Sequence, residues 1–219
     1  LADCELTHVS RSPIDLEKAG AQHHAYAKTL ETFGVGIEWI APLPDAPDGV
    51  FVEDIALVLP EVAVITRPGT NSRLGEVESA AQALGRHRPV VRLCAPNCVE
   101  GGDVLQIDRT LYVGASGRTN PTGILALQEV LRPHNYDLRG VTVHDCLHLK
   151  TACTFIPPCF LVANPRWVNV NQFHGLAIIA TDETEAFAAN TLTIGGTTLV
   201  SASYPRTEER LRAARIATR

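Results

Sequence analysis

Four stretches of the chain share one pattern: a short apolar run, a two-residue break, and a second short apolar run. They are "DIALVLPEVAVIT" (54–66, break at Pro60-Glu61), "DVLQIDRTLYVGA" (103–115, Asp108-Arg109), "ACTFIPPCFLVAN" (152–164, Pro157-Pro158) and "ANTLTIGGTTLVSAS" (189–203, Gly195-Gly196). Strand-length apolar runs flanking a turn dipeptide predict β-hairpins, and Gly-Gly is the strongest turn signal of the four. Successive hairpins start roughly 40 to 50 residues apart, a period that suggests repeated modules.

Helical patterns follow most hairpins. "SRLGEVESAAQALG" (72–85) carries Ala and Leu at helical spacing and stops at Gly85. "NPTGILALQEVLRPH" (120–134) offers Asn120 as N-cap, Pro121 at the first position and Pro133 at the exit. "YPRTEERLRAAR" (204–215) follows the last hairpin, and a long amphipathic helix ending at Gly34 precedes the first. After the helices, "GIEWI" (36–40) and "PVVRL" (89–93) read as single strands. The unit is hairpin, helix, strand. Its repetition predicts an α/β fold, a cyclic propeller of such units whose inner strands converge on one axis, within a single domain over 1–219.

Composition narrows the partners. The 219 residues are 45% hydrophobic, enough for one sizeable core, and the formal net charge is -5 with no basic stripe. Nucleic acid is therefore not expected as a partner. Apolar runs such as "FLVA" and "LAIIA" are strand-sized, so no membrane span is expected. The six cysteines (4, 94, 98, 146, 153 and 159) include no second metal-type pair beside Cys94-x3-Cys98. Those two read as small buried apolar residues, Cys146 and Cys153 as core, and the whole as a cytoplasmic protein. No methionine occurs, so truncation at either end is expected.

Ionisable residues recur where the hairpins begin. "DGVFVED" supplies Asp48, Phe51, Glu53 and Asp54; "VEGGD" supplies Glu100 and Asp103; "HDCLHLKT" supplies His148 and Lys150. In a propeller these entries face one channel, so Glu53, Asp54, Glu100 and His148 are expected to converge. Singly, each acid reads as a solvated loop carboxylate. Together they are costly without a cation. A metal is possible, although a compact ligand array is missing. Guanidinium suits better, because its planar donors match carboxylates and its face suits Phe51. Arg73 and Arg118 follow the first and second hairpins at equivalent positions and suit a carboxylate. A ligand with both groups is arginine or a derivative.

"FVED", "EGGD", "GRTN" and "HLKT", in this order, resemble the dimethylarginine dimethylaminohydrolase family of the pentein superfamily. The resemblance runs from about Leu6 to Arg206. It implies a five-module ββαβ propeller with pseudo-fivefold symmetry, no cofactor or metal, a methylated-arginine substrate, and a monomer or homodimer. It implies that a cysteine thiolate attacks the guanidinium carbon and that water then releases citrulline. His148 then resembles the general acid, later the base. Glu100 resembles the carboxylate that holds the guanidinium and orients that histidine. Asp54 resembles a second acceptor, with Glu53 and Phe51 beside it; Arg73 and Arg118 resemble a clamp on the α-carboxylate. Asp48 and the backbone of Leu6 resemble partners at the amino-acid end. Related arginine deiminases carry an acid where Lys150 stands, so its absence suits a methylated substrate. The family's nucleophile matches none of the six cysteines and is expected beyond residue 219. Arginine deiminase or amidinotransferase chemistry, and a non-catalytic guanidinium-binding or ribosome-associated protein, are the alternatives.

Overall fold

The computed structural model describes residues 3–219. A first helix, α1 (Leu16–Glu31), is capped by Asp15, whose side chain accepts from the Lys18 N–H. Three sheets with one topology follow. Strands β1 (Ala56–Val58) and β2 (Ala63–Ile65) are antiparallel; after helix α2 (Val77–Gly85), β3 (Val90–Arg92) returns parallel to β2. Strands β4 (Val104–Ile107) and β5 (Thr110–Ala115) repeat the hairpin, and β6 (Asp137–Thr142) returns parallel to β5 after helix α3 (Pro121–Leu131). A short helix α4 (Leu149–Ala152) leads into the third hairpin, β7 (Cys153–Ile156) and β8 (Phe160–Ala163), beside which β9 (Ala177–Ala180) is parallel. A fourth hairpin pairs β10 (Leu192–Ile194) with β11 (Thr197–Leu199). Helix α5 (Pro205–Ala213) then brings the chain back to a parallel bridge between Thr198 and Thr218.

The turn chemistry explains the hairpins. Gly195 and Gly196 both have positive φ, 55° and 78°, as the tight turn requires. At the entry of α3, Asn120 Oδ1 accepts the Gly123 N–H at 2.7 Å, and Pro121 occupies the first turn.

Three expectations change. "GIEWI" (36–40) is not a strand, because no hairpin among the described residues offers it a ladder. The third sheet reaches β9 without a long helix. Its connection holds only a 3-10 turn, Val170–Gln172, in a stretch rich in asparagine, which bonds its own backbone in place of a helix. Asn169 does so here, accepting from the Asn171 N–H. The four sheets are separate and not closed on one another among the described residues.

Cores are shared between neighbouring sheets. Leu57, Leu59, Val62 and Val64 of the first hairpin pack with Val104, Leu111 and Val113 of the second and with Leu127 of α3. Leu105 and Tyr112 of the second hairpin pack with Leu149 of α4 and with Cys153 and Leu161 of the third. The six cysteines are free; Cys4, Cys146 and Cys153 are buried. Cys94 is exposed and Cys98 half-buried, against the expectation of two core residues. Cys98 Sγ instead faces Arg67 Nη1 at 3.0 Å. Among the described residues, no helix is long and apolar enough to cross a membrane.

Leu111 lies wholly inside the first shared core. Leu111→Ala should destabilise the fold by about 2–5 kcal/mol in denaturant unfolding. A loss well below that range would mean that the first two sheets do not depend on a common core.

Candidate active site

Each of the first three hairpins is entered through a tight turn that delivers one ionisable side chain. A 3-10 turn at Val52–Ile55 carries Asp54. Glu100 immediately precedes the 3-10 turn Gly101–Asp103. His148 is the extended residue before α4. The first two turns press together because Gly101 and Gly102 have no side chains. A Cβ on Gly101 would stand 2.0 Å from the Glu53 carbonyl oxygen, and one on Gly102 2.7 Å from His148 Nδ1.

Asp54, Glu100 and His148 therefore meet, all buried, with one ligand-capable atom of each within 4.8 Å of the others. His148 Nε2 donates to Glu100 Oε2 at 2.7 Å, and its Nδ1 lies 3.9 Å from Asp54 Oδ1. Glu100 Oε1 accepts the Gly69 N–H at 2.9 Å and lies 3.9 Å from Arg118 Nη1. Asp54 Oδ1 accepts the Gly102 N–H at 3.2 Å, and Oδ2 accepts Arg73 Nη1 at 2.7 Å. A metal could use this spacing, but the carboxylate oxygens already accept N–H donors. Such a set suits a cation that brings its own N–H groups.

The remaining expected residues divide. Arg73 is buried and strongly engaged: Nε and Nη2 on Glu76, Nη1 on Asp54, and Nη2 also on the carbonyls of Phe51 (3.0 Å) and Asp48 (3.4 Å). It is thus a brace of the Asp54 turn. Arg118 is buried, with Nη2 on Thr7 Oγ1 at 2.9 Å. Asp48 is buried and accepts the Glu5 N–H through both oxygens. Leu6 thus lies between residues anchored to Asp48 and Arg118, with its side chain partly exposed. Phe51 is exposed. Glu53 does not join the buried group: it faces outward and pairs with Lys150. Sequence reasoning missed Glu76, Gly69, Thr7 and Thr119. Only "GRTN", already marked by Arg118, carried any signal, and that for Thr119.

Burial alone would lower the pKa of His148, but the Glu100 hydrogen bond and the charges of Asp54, Asp103 and Glu100 raise it overall. Burial raises that of Glu100, yet His148, the Gly69 N–H and Arg118 bring it below the ordinary carboxylate value. Burial also pushes the Cys146 thiol up to about 12, aided by the Asp103 charge, and raises Cys153 further. Neither is a ready thiolate.

Two outcomes follow. Arg73→Ala leaves Glu76 and Asp54 buried without their cation and should cost about 3–5 kcal/mol in denaturant unfolding. A cost near zero would contradict the bracing role. His148, with a raised pKa, stabilises the fold fully below its unfolded value of about 6.5, and this is lost as pH rises through the folded value. Glu100, with a lowered pKa, acts in the opposite sense at acid pH. Unfolding free energy should thus fall on the alkaline side of about pH 6.5, and His148→Gln should flatten that slope. An unchanged slope in the variant would show that His148 titrates alike folded and unfolded.

No family model matches the chain. It is 37% identical over 199 residues to the N(G),N(G)-dimethylarginine dimethylaminohydrolase of Pseudomonas aeruginosa, covering 90% of this chain and 78% of that one. It is 35% identical over 213 residues to the protein of the same name from Streptomyces coelicolor, covering 96% and 81%. The solved structure of a Cys-to-Ser mutant of the Pseudomonas aeruginosa enzyme, complexed with citrulline, superposes with a TM-score of 0.93 at 35% identity, over 98% of this chain and 85% of that one. The N-terminal domain of ArgZ, an arginine dihydrolase from cyanobacteria, shares the fold at 22% identity and a TM-score of 0.81. A matching fold and 35–37% identity over most of both chains lead to one conclusion: this chain belongs to the dimethylarginine dimethylaminohydrolase family.

Proposed function

We propose that the chain hydrolyses Nω-methylated arginine to citrulline and a methylamine, and that its four sheets are modules of a five-module ββαβ propeller. The observation that carries the chemistry is the buried contact of His148 with Glu100, closed on its other side by Asp54. Two buried acids around one imidazole are stable only with cations present.

In this reading the guanidinium docks against Glu100 and Asp54, which hold it planar and expose its carbon. A thiolate attacks that carbon and forms a C–S bond. His148 gives its proton to the methylated nitrogen as the C–N bond breaks, and the amine leaves. The neutral imidazole then takes a proton from water, which attacks the same carbon. The C–S bond breaks as the adduct's hydroxyl loses its remaining proton to solvent, releasing citrulline and restoring the thiolate. The raised pKa of His148 suits the first step, since the group arrives protonated. Cys146 and Cys153, the cysteines nearest His148 in sequence, are held as thiols by burial and are not proposed as the attacking thiolate.

Arg118 meets the substrate carboxylate, joined by the one Nη1 hydrogen of Arg73 that Asp54 does not take. Asp48 and the Leu6 backbone meet the amino group. Phe51 lies at the exposed rim, and Glu53 with its partner Lys150 borders the methylated nitrogen. Lys150 presents no acceptor for an unsubstituted nitrogen, which favours a methylated substrate over arginine.

Calorimetric titration tests this. Dimethylarginine should bind more tightly than arginine, and Glu100→Gln should weaken it at least about tenfold, the loss expected for a buried charge-assisted bond. Tighter binding of arginine would overturn the substrate, and an unaffected Glu100→Gln variant would overturn the docking mode.

A further inference from the structure

Asp103 is the last residue of the Gly101–Asp103 turn, and it is completely enclosed. Its Oδ1 accepts the N–H of Leu149, the residue after His148, at 3.0 Å. Its Oδ2 accepts the hydroxyls of Ser116 (2.6 Å) and Thr119 (2.7 Å). Thr119 Oγ1 in turn accepts the Glu100 N–H, and Ser116 Oγ accepts the Arg118 N–H. One carboxylate thus fixes the backbone beside His148, Glu100 and Arg118. The packing leaves no slack: a Cβ on Gly114 would stand 2.8 Å from Asp103 Oδ1.

The donors to this carboxylate are neutral. Among the described residues, Asp103 has no lysine or arginine partner, unlike Asp54 with Arg73 and Glu100 with Arg118. A fully buried carboxylate without a cation is costly. Burial raises the Asp103 pKa, and the His148 imidazolium, whose neighbour Asp103 holds, is the charge that opposes that rise, together with the Ser116, Thr119 and Leu149 donors. Two hydroxyls and an amide satisfy its oxygens without cancelling its charge.

We propose that Asp103 is the positioning residue of His148: it fixes the backbone from which the imidazole projects and supplies the uncompensated negative charge that favours the protonated ring. The groups facing His148 are then complete. Glu100 lies on Nε2 and Asp54 beside Nδ1. Asp103 stands behind the backbone. The Cys146 thiol contacts the His148 carbonyl as a neutral donor at 3.4 Å. Arg118 and Arg73 touch the acids, not the ring. Lys150 is turned away to Glu53.

The proposal rests on His148 as the proton carrier, and its test needs no turnover. Asp103→Asn keeps an acceptor for the Leu149 N–H, while the two hydroxyls can rotate to receive the amide. The titration of His148 is read by NMR from its ring Cε1–H in the unliganded protein. The midpoint should fall by at least about half a pH unit in Asp103→Asn, the size of a modest charge effect on a buried histidine. An unchanged or raised midpoint in the folded variant overturns the proposal. If Asp103→Asn does not fold, the parent decides. The Asp103 13Cγ resonance should move at the His148 midpoint, and a flat trace across it overturns the proposal. Failure of dimethylarginine to bind the parent would sink the substrate assignment alone and leave this result standing.

Discussion

The site depends on the buried guanidinium of Arg73. Its donors hold Glu76 at the start of α2, Asp54 on the turn before β1, and the carbonyls of Phe51 and Asp48. Burial would weaken its charge, but the bonds to Glu76 and Asp54 more than restore it, so it is cationic at every working pH. A planar fork can satisfy several acceptors at once, which a lysine ammonium in the same place cannot do with fixed geometry. Because Arg73 sets the Asp54 turn, and Gly102 of the next turn bonds Asp54 Oδ1, the position of Glu100 follows from the same residue.

The charges around this brace do not balance. Asp48, Asp54, Glu76, Glu100 and Asp103 are buried acids; Arg73 and Arg118 are the buried guanidiniums, and His148 is the buried imidazole. Even with His148 protonated, the acids outnumber the cations. An excess of this kind inside a fold is tolerated where a mobile cation completes it. A cationic group docking against Glu100 and Asp54 reduces that excess. The two structural cations cannot move to fill the deficit, since each is tied to its own carboxylate and to backbone or hydroxyl oxygens. The surplus of acid thus favours a cationic ligand through residues that do not all touch it.

Much of this was legible in the sequence, and what was not shares a physical cause. The hairpins followed from dipeptides such as Asp108-Arg109 and Gly195-Gly196, which act locally. The meeting of Asp54, Glu100 and His148 followed from their equivalent places at hairpin entries, and from motif order. Gly69 was missed because its contact is with Glu100 of the next module, Thr119 because its partners Glu100 and Asp103 lie on the far side of a hairpin, and Glu76 because an acid at a helix start is ordinary until its Arg73 partner is seen to be buried. "GIEWI" failed as a strand because strand formation depends on a partner as much as on apolar content. Glu53 was grouped with Asp54 because the two are adjacent. Adjacent residues of a tight turn point in different directions, and here one goes to the interior and the other to Lys150.

The paired glycines of "EGGD" explain why these acids stand at the mouth of an apolar strand. Strand interiors disfavour both residue types, yet this stretch is a 3-10 turn that ends where β4 begins. The Gly101 Cα lies against the Glu53 carbonyl, so any side chain there would drive the first and second sheets apart. Gly102 faces His148 and Asp54 together, so a methyl group there would part the imidazole from the Asp54 carboxylate. Gly101 therefore sets the distance between modules, and Gly102 sets the distance between chemical groups. Separating the two would break both, because the shared cores on either side of the turn are already filled. The geometry of the site is in this sense the geometry of the contact between sheets, and the stability of one is inseparable from the chemistry of the other.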